Sequence, residues 1–339
     1  MLGLLALAAC SDALEQTTSA GQVVVAVNAV SDSLSLVEVG DYNTSALALP
    51  PARATPRSVA VAGGGGVLAV PAGDSSVLVV FDFSNGGTPV ITRAPLPPGS
   101  GATGAAFDGD STIWVANPNR NSVTRVRLRT GDTATFAAGV YPQAVAFTQG
   151  LVFIVNGNLV GGNVAGPSWI TVRSRDGSLP VIDSIPLSGT NAHFVTVGAD
   201  GLLYVVDAGR PGKGEGKLSI VDPVAEAEVA VLNGLGESPG AAVYHSSGRL
   251  LVASATEGIL EVNTSTRTVT RGPGNGVQLG SSVIAALALD QSGRVYALDQ
   301  KDCVQQGVMH VLSAPPEYED VKQVPVGVCP SAAATILKP

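Results

Sequence analysis

The chain has 339 residues, of which 45% are hydrophobic, 14% charged and 4% aromatic, with 41 glycines and 22 prolines. That mixture suits many short strands joined by tight turns, and no stretch carries a helical pattern. A formal net charge of −8 leaves no basic patch to release counterions, which excludes nucleic acid as a partner and disfavours direct docking onto anionic headgroups.

Residues Met1 to Ala9 are small and apolar, and Leu7-Ala8-Ala9-Cys10 matches the bacterial lipobox, with cleavage before Cys10. Cys10 would then become an acylated N-terminal cysteine. The match departs from the usual signal in lacking a basic segment and in the shortness of its apolar run. A true start upstream of Met1 would account for both; an incidental cysteine at an ordinary N-terminus is the alternative. Spanning a bilayer takes about 20 apolar residues, so residues 1–9 do not cross one. A lipid anchor is expected instead, because each buried CH₂ contributes about 0.8 kcal/mol. Residues 10–21 read as a short polar tether.

From residue 22 the chain repeats. Three strands come first, at Val23 to Val27, Ser33 to Val39 and Ala46 to Leu49. A strand-turn-strand unit then recurs, clearest at Tyr141 to Asn156 (YPQAVAFTQGLVFIVN). With Pro142 as a marker, the equivalent positions are Pro56, Ala102, Pro142, Ala192, Pro239, Ile284 and Pro330, spaced by 46, 40, 50, 47, 45 and 46 residues. A third strand follows each pair, as at Ser122 to Val126 or Leu218 to Val221, and then a more polar fourth, as at Thr133 to Ala137 or Val321 to Val326. Four strands at such a period form one blade of a β-propeller. The inner strands, rich in Ala and Val, are expected to be buried on both faces, with small side chains fitting the narrow axis.

The last marker opens only one strand, Ser331 to Leu337, and the first three strands lack an inner neighbour. The two pieces complete one blade. The fold class is therefore all-β, a seven-bladed propeller with four-stranded blades in a single domain over residues 22–339. The C-terminal strand closes the N-terminal blade and leaves no open edge at the seam.

The second strands end in WVAN (Trp114 to Asn117), FIVN (Phe153 to Asn156), YVVD (Tyr204 to Asp207), YALD (Tyr296 to Asp299) and VAVN (Val25 to Asn28). The chain thus resembles the bacterial and archaeal YVTN-type β-propeller repeat family over residues 22–339. The motif is degenerate in blades two (Ala69 to Ala72, AVPA) and six (Leu251 to Ser254, LVAS). The resemblance implies the fold and a surface or periplasmic setting, and no reaction. The Asn or Asp closing these strands is expected to bond its own backbone and start the loop; a ring of such groups could alternatively hold a cation.

Cys303 lies between the second and third strands of blade seven, and Cys329 between its fourth strand and the closing strand. Both loop types leave a propeller on the same face, so a bridge is expected, contributing roughly 3 kcal/mol and clamping the seam. It implies an oxidising compartment; two unrelated thiols are the alternative. On that face the repeat breaks down, with inserts Gly157 to Ser168 in blade four, Ala208 to Lys217 in blade five and Gln300 to Gly307 in blade seven. Function tends to sit on variable loops held by a rigid scaffold. Arg120 (in the short loop of blade three), Arg210, Lys213, Glu215, Lys301 and Asp302 are the candidate partner-binding residues, against the simpler reading of a solvated loop face.

Catalytic constellations are scarce. His193, His245 and His310 fall in three blades, with His245 on the face opposite His193, so neither a multi-histidine metal site nor a Ser-His-Asp triad is supported. Gly63 to Gly66 and Gly212 to Lys217 lack the helix and the Gly-Lys-Ser/Thr ending of a phosphate loop. No catalytic residue, metal or cofactor is expected. The leading reading is a non-enzymatic binding or scaffold lipoprotein of the bacterial envelope, docking one face onto a partner protein or membrane complex as an accessory subunit. The alternative is an enzyme of the lactonase or lyase kind with a divalent cation in the central tunnel, which needs convergent acids and a base at the tunnel mouth.

Overall fold

The computed structural model describes residues 21–50, 55–85, 87–175, 181, 183–280 and 283–338. Cys10, the signal segment and nearly all of the tether lie outside them. Seven four-stranded antiparallel sheets account for almost all of the described chain. Blades two to seven are built in chain order, for example Pro142–Thr148, Leu151–Asn156, Pro167–Ser174 and Asp183–Thr190 in blade four. Blade one is composite: Thr44–Ala48, Ser33–Glu38 and Gln22–Asn28 run from the rim inwards, and Pro330–Leu337 is the innermost strand. Its register runs from Gln22 opposite Leu337 to Asn28 opposite Pro330.

The second strand of each blade is the most deeply buried layer, while first strands such as Pro142–Thr148 and Ile284–Leu289 mix buried with half-buried residues. Val23 to Val27, Val152 to Val155 and Leu250 to Ala253 are all essentially inaccessible, as continuous apolar runs sandwiched between neighbouring blades should be. First strands, by contrast, expose one face to an axial cavity. In blade three every residue of Ala105–Asp108 is only half-buried. Small residues there keep the axis open rather than filling it.

Between blades the packing is side chain on side chain. Trp114 of blade three stacks on Phe136 of the same blade at 5.3 Å and meets Phe147 of blade four at 6.4 Å. Burying aromatic side chains of this size stabilises by roughly 1.5–3 kcal/mol each. The Arg125 guanidinium covers both Trp114 and Phe136.

The Asn and Asp residues that close the second strands are fully buried and mostly do not bond their own backbone. They reach the third strand. Asn28 donates to Ser35 (3.0 Å), Asn117 to Thr124 (2.9 Å) and Asn156 to Thr171 (3.0 Å), and Asp207 accepts from Ser219 (2.8 Å). Each hydroxyl sits opposite the residue two before the Asn or Asp. Asn156 also donates to the Ile154 carbonyl of its own strand at 3.1 Å, and Asp299 starts its loop as expected, accepting from the Lys301 backbone N–H at 2.9 Å. A glycine three residues before the marker presses on three of these side chains from the preceding blade. A Cβ on Gly139 would lie 2.5 Å from Asn156, one on Gly189 2.0 Å from Asp207, and one on Gly327 2.6 Å from Asn28. Blade-to-blade spacing is set by that close approach.

Candidate functional site

All three inserts join second to third strands and therefore crown one face. The blade-four insert is not a plain loop; it folds into a small hairpin of Leu159–Val160 and Asn163–Val164. Its tip residue Val160 is exposed, as is Val304 in the blade-seven insert, at 79% the most exposed large hydrophobic side chain among the described residues. Cys303 and Cys329 are bridged on this face, tying the blade-seven insert to the connection that enters the closing strand.

The candidate charges on these loops are held locally. Arg210 and Glu215 form a two-pronged pair at 3.0 and 2.5 Å across the blade-five insert, and that pairing holds the Glu215 carboxyl below its ordinary range. Arg120 leaves a 3-10 turn, Pro118–Arg120, and donates through Nε to the Pro98 carbonyl at 2.8 Å, fixing the preceding connection. Lys301 Nζ lies 2.5 Å from Asp299 Oδ2. Asp302 accepts from the backbone of Val304 and Gln305 at 2.9 and 3.0 Å, which lowers its pKa. Lys213 is exposed, its backbone N–H closing a turn on the Arg210 carbonyl. The six residues therefore share a face without forming one cluster, and Arg210 with Glu215 is the pair among them in contact.

A second feature of that face is the mouth of the central tunnel, whose lining residues the sequence did not mark. The first strands enclose an axial cavity of about 640 Å³ lined from all seven blades. The residue after each marker sits at its mouth: Ser331, Arg57, Thr103, Gln143 and His193 in blades one to five, then Gly240 and Ala285. Ladder registers break at this position in blades one, four, five, six and seven. Such bulges re-aim the side chain they carry, and here they turn it to the axis. On the side left open by Gly240 and Ala285, Gln300 of the blade-seven insert joins the lining.

Hydrogen bonds stitch much of the mouth together. Ser331 donates to the Pro56 carbonyl at 2.7 Å, Ser58 to that of Thr103, Thr103 to that of Gln143 at 3.2 Å, and Gln143 to that of Ala192 at 3.0 Å. Each bond links a blade to the next. The sequence stops at His193, whose ring is pushed down to about 4 by burial, only partly offset by the carbonyls of Asn191 and Val206; it is neutral at pH 7.

The other two histidines are occupied elsewhere. His245 faces the opposite side of the disc, bonded to Ser247 at 2.7 Å and Gly293 at 3.2 Å, while His310 meets Asp320 at 2.9 Å. Among the described residues, no group of three or more His, Cys, Asp or Glu is placed to hold a metal ion, and no helix is long and apolar enough to cross a membrane. The described residues that line the tunnel include no carboxylate.

No protein-family model matches the chain, and no curated protein does. Solved structures do match its fold. One is a functionally unknown protein from Desulfotomaculum acetoxidans, with TM-score 0.71 and 12% identity, covering 94% of this chain and 99% of that one. Another is virginiamycin B lyase from Staphylococcus aureus, at TM-score 0.65 and 16% identity, covering 83% and 89% respectively. A third is hydrazine synthase from Kuenenia stuttgartiensis, at 0.63 and 14%, covering 82% and 89%. Identities this low carry the propeller fold and nothing of substrate or reaction.

Proposed function

We propose that the chain is a non-enzymatic binding lipoprotein of the bacterial envelope, with a YVTN-type propeller anchored through Cys10 that docks its insert face onto a membrane-associated protein complex. The observation that carries this is the asymmetry of loop length. The inserts of blades four, five and seven all crown one face, and exposed valines tip two of them. Extra loop length costs little stability, so it is free to serve recognition. Several loops on one face supply the roughly 800 Å² per partner of a standard interface. The disulfide agrees with an oxidising compartment. A cation-dependent tunnel enzyme is less well supported: among the described residues the tunnel lining has no carboxylate, and His193 is its one histidine.

Two experiments bear on this. Replacing Ala208 to Gly216 with a short Gly-Ser turn should abolish most partner recovery in a pull-down from solubilised native membranes, with the melting temperature nearly unchanged. The removed Arg210–Glu215 pair is solvent-exposed, and exposed pairs contribute little. Cross-links that place the partner wholly on the opposite face or on the outer strands would sink the docking assignment. Cys10→Ala should move the protein from the membrane to the soluble fraction. If the variant still sediments with salt-washed membranes, a lipid at Cys10 is not what holds it.

A further inference from the structure

The tunnel differs in character from the rest of the molecule. The chain carries 27 acidic against 19 basic residues, yet among the described residues the axial cavity is lined by one arginine and no acid. Its polarity is also graded along the axis. All first strands run in the same direction, so Arg57, Gln143 and His193 share the insert-face mouth, while Phe107, Phe147 and Val197 lie towards the other end. From Gln143 to Phe147 the strand rises about 13 Å, at roughly 3.3 Å per residue. Between those ends the wall is mostly Ala and Val.

Most polar groups at the mouth are committed to the blade-to-blade bonds, but two are not. Arg57 is exposed and has no hydrogen-bond or ion-pair partner among the described residues, and neither has the side-chain amide of Gln300. Donors left over at the rim of an apolar cavity are what fix the orientation of a small ligand in a concave site. A cation with no counter-charge among the described residues selects an anion. Guanidinium matches a carboxylate with two parallel N–H bonds.

We propose that the tunnel binds a small amphipathic carboxylate, its head group held by Arg57 at the insert-face mouth and its hydrocarbon lying along the Ala and Val wall. Gln300 supplies a further donor from the side where Gly240 and Ala285 leave room. A volume of about 640 Å³ falls within the 300–1,000 Å³ common for small-molecule sites. The site stands independently of the docking reading, since it uses none of the charges on the inserts' outer surface.

Titration calorimetry on the full chain at pH 7.5, with acetate, butanoate, octanoate and the neutral analogue octanamide, tests this. Affinity should rise with chain length, and octanoate should bind about ten- to hundredfold tighter than octanamide, equivalent to the roughly 1.5–3 kcal/mol of a hydrogen bond to a charged group. Arg57→Gln should erase that preference while leaving octanamide binding and the melting temperature as in the parent, because Arg57 is exposed. Equal binding of octanoate and octanamide overturns the proposal, as does a preference that survives Arg57→Gln. An affinity independent of chain length would mean a plain anion site and refute the hydrocarbon's place in the tunnel. Absence of octanoate binding refutes the site altogether.

Discussion

Deleting Ser331 to Pro339 should unfold the protein rather than trim it. Those nine residues include nearly all of the innermost strand of blade one, paired with Gln22–Asn28 along its whole length. Ala332 and Ile336 are buried in the core shared with blade two, and burial of side chains such as Ile contributes roughly 1.5–3 kcal/mol each. The strand also reaches both neighbours. Ser331 donates to the Pro56 carbonyl at 2.7 Å in blade two, and Thr335 to the Leu289 carbonyl at 2.7 Å in blade seven. Without it Val23 to Val27, now inaccessible, become an open apolar edge, a template for aggregation. Total stabilities of 5–15 kcal/mol do not survive losses on that scale in a closed ring. A truncated protein that stays monomeric and melts within a few degrees of the parent would refute closure at this seam.

The seam was legible in the sequence because strand count is discrete. A single orphan strand at one end and three at the other admit one arrangement. The period of about 46 residues and the polar fourth strands fixed the blade count for the same reason. The pairing of Cys303 with Cys329 followed from the face on which each loop type emerges.

Legibility failed where one residue slips out of the ladder. Strict alternation assigns Gln143 and His193 a direction that the bulge reverses, so the residues lining the tunnel mouth were not legible although they occupy a fixed position after every marker. The glycine three residues before the marker was likewise visible as a repeat. Its purpose depends on a neighbouring blade: Gly189 is there for Asp207, 18 residues later in sequence and in the next sheet. Charges on the inserts looked free in sequence because nothing local tells Arg210 that Glu215 will turn back to meet it.

That blade-to-blade packing has a measurable electrostatic consequence at Asp207. Asn28, Asn117 and Asn156 occupy the equivalent position in other blades as neutral groups, but Asp207 is an acid with no exposure. Burial raises its pKa from 3.8 to about 7, against the opposing hydrogen bond from Ser219. The folded state therefore holds a proton that the unfolded chain has lost. Asp207 contributes stability fully below pH 3.8, and loses it as pH rises towards and through 7. Three units at about 1.4 kcal/mol each put the loss near 4 kcal/mol. His193 acts in the opposite sense, since its pKa falls from 6.5 to about 4 on folding, and its contribution grows as pH rises through that interval. Between about pH 4 and 6.5 the two slopes are equal and opposite, so these two groups leave the parent protein nearly flat there.

Asp207→Asn should expose the hidden slope. The amide is the group that already fits this niche in blades one, three and four, where it donates to a third-strand hydroxyl equivalent to Ser219. Urea unfolding of parent and variant across pH 4 to 8, taken as a difference, cancels every other titrating group, His193 included. The difference should start near zero at pH 4 and grow to about 4 kcal/mol in favour of the variant at pH 8. The variant alone should gain stability between pH 4 and 6.5, the part the histidine supplies. A difference that stays constant with pH would mean that the Asp207 carboxyl titrates alike in both states. A variant less stable than the parent at pH 8 would mean that the carboxylate, not the neutral form, is what blade five is built around.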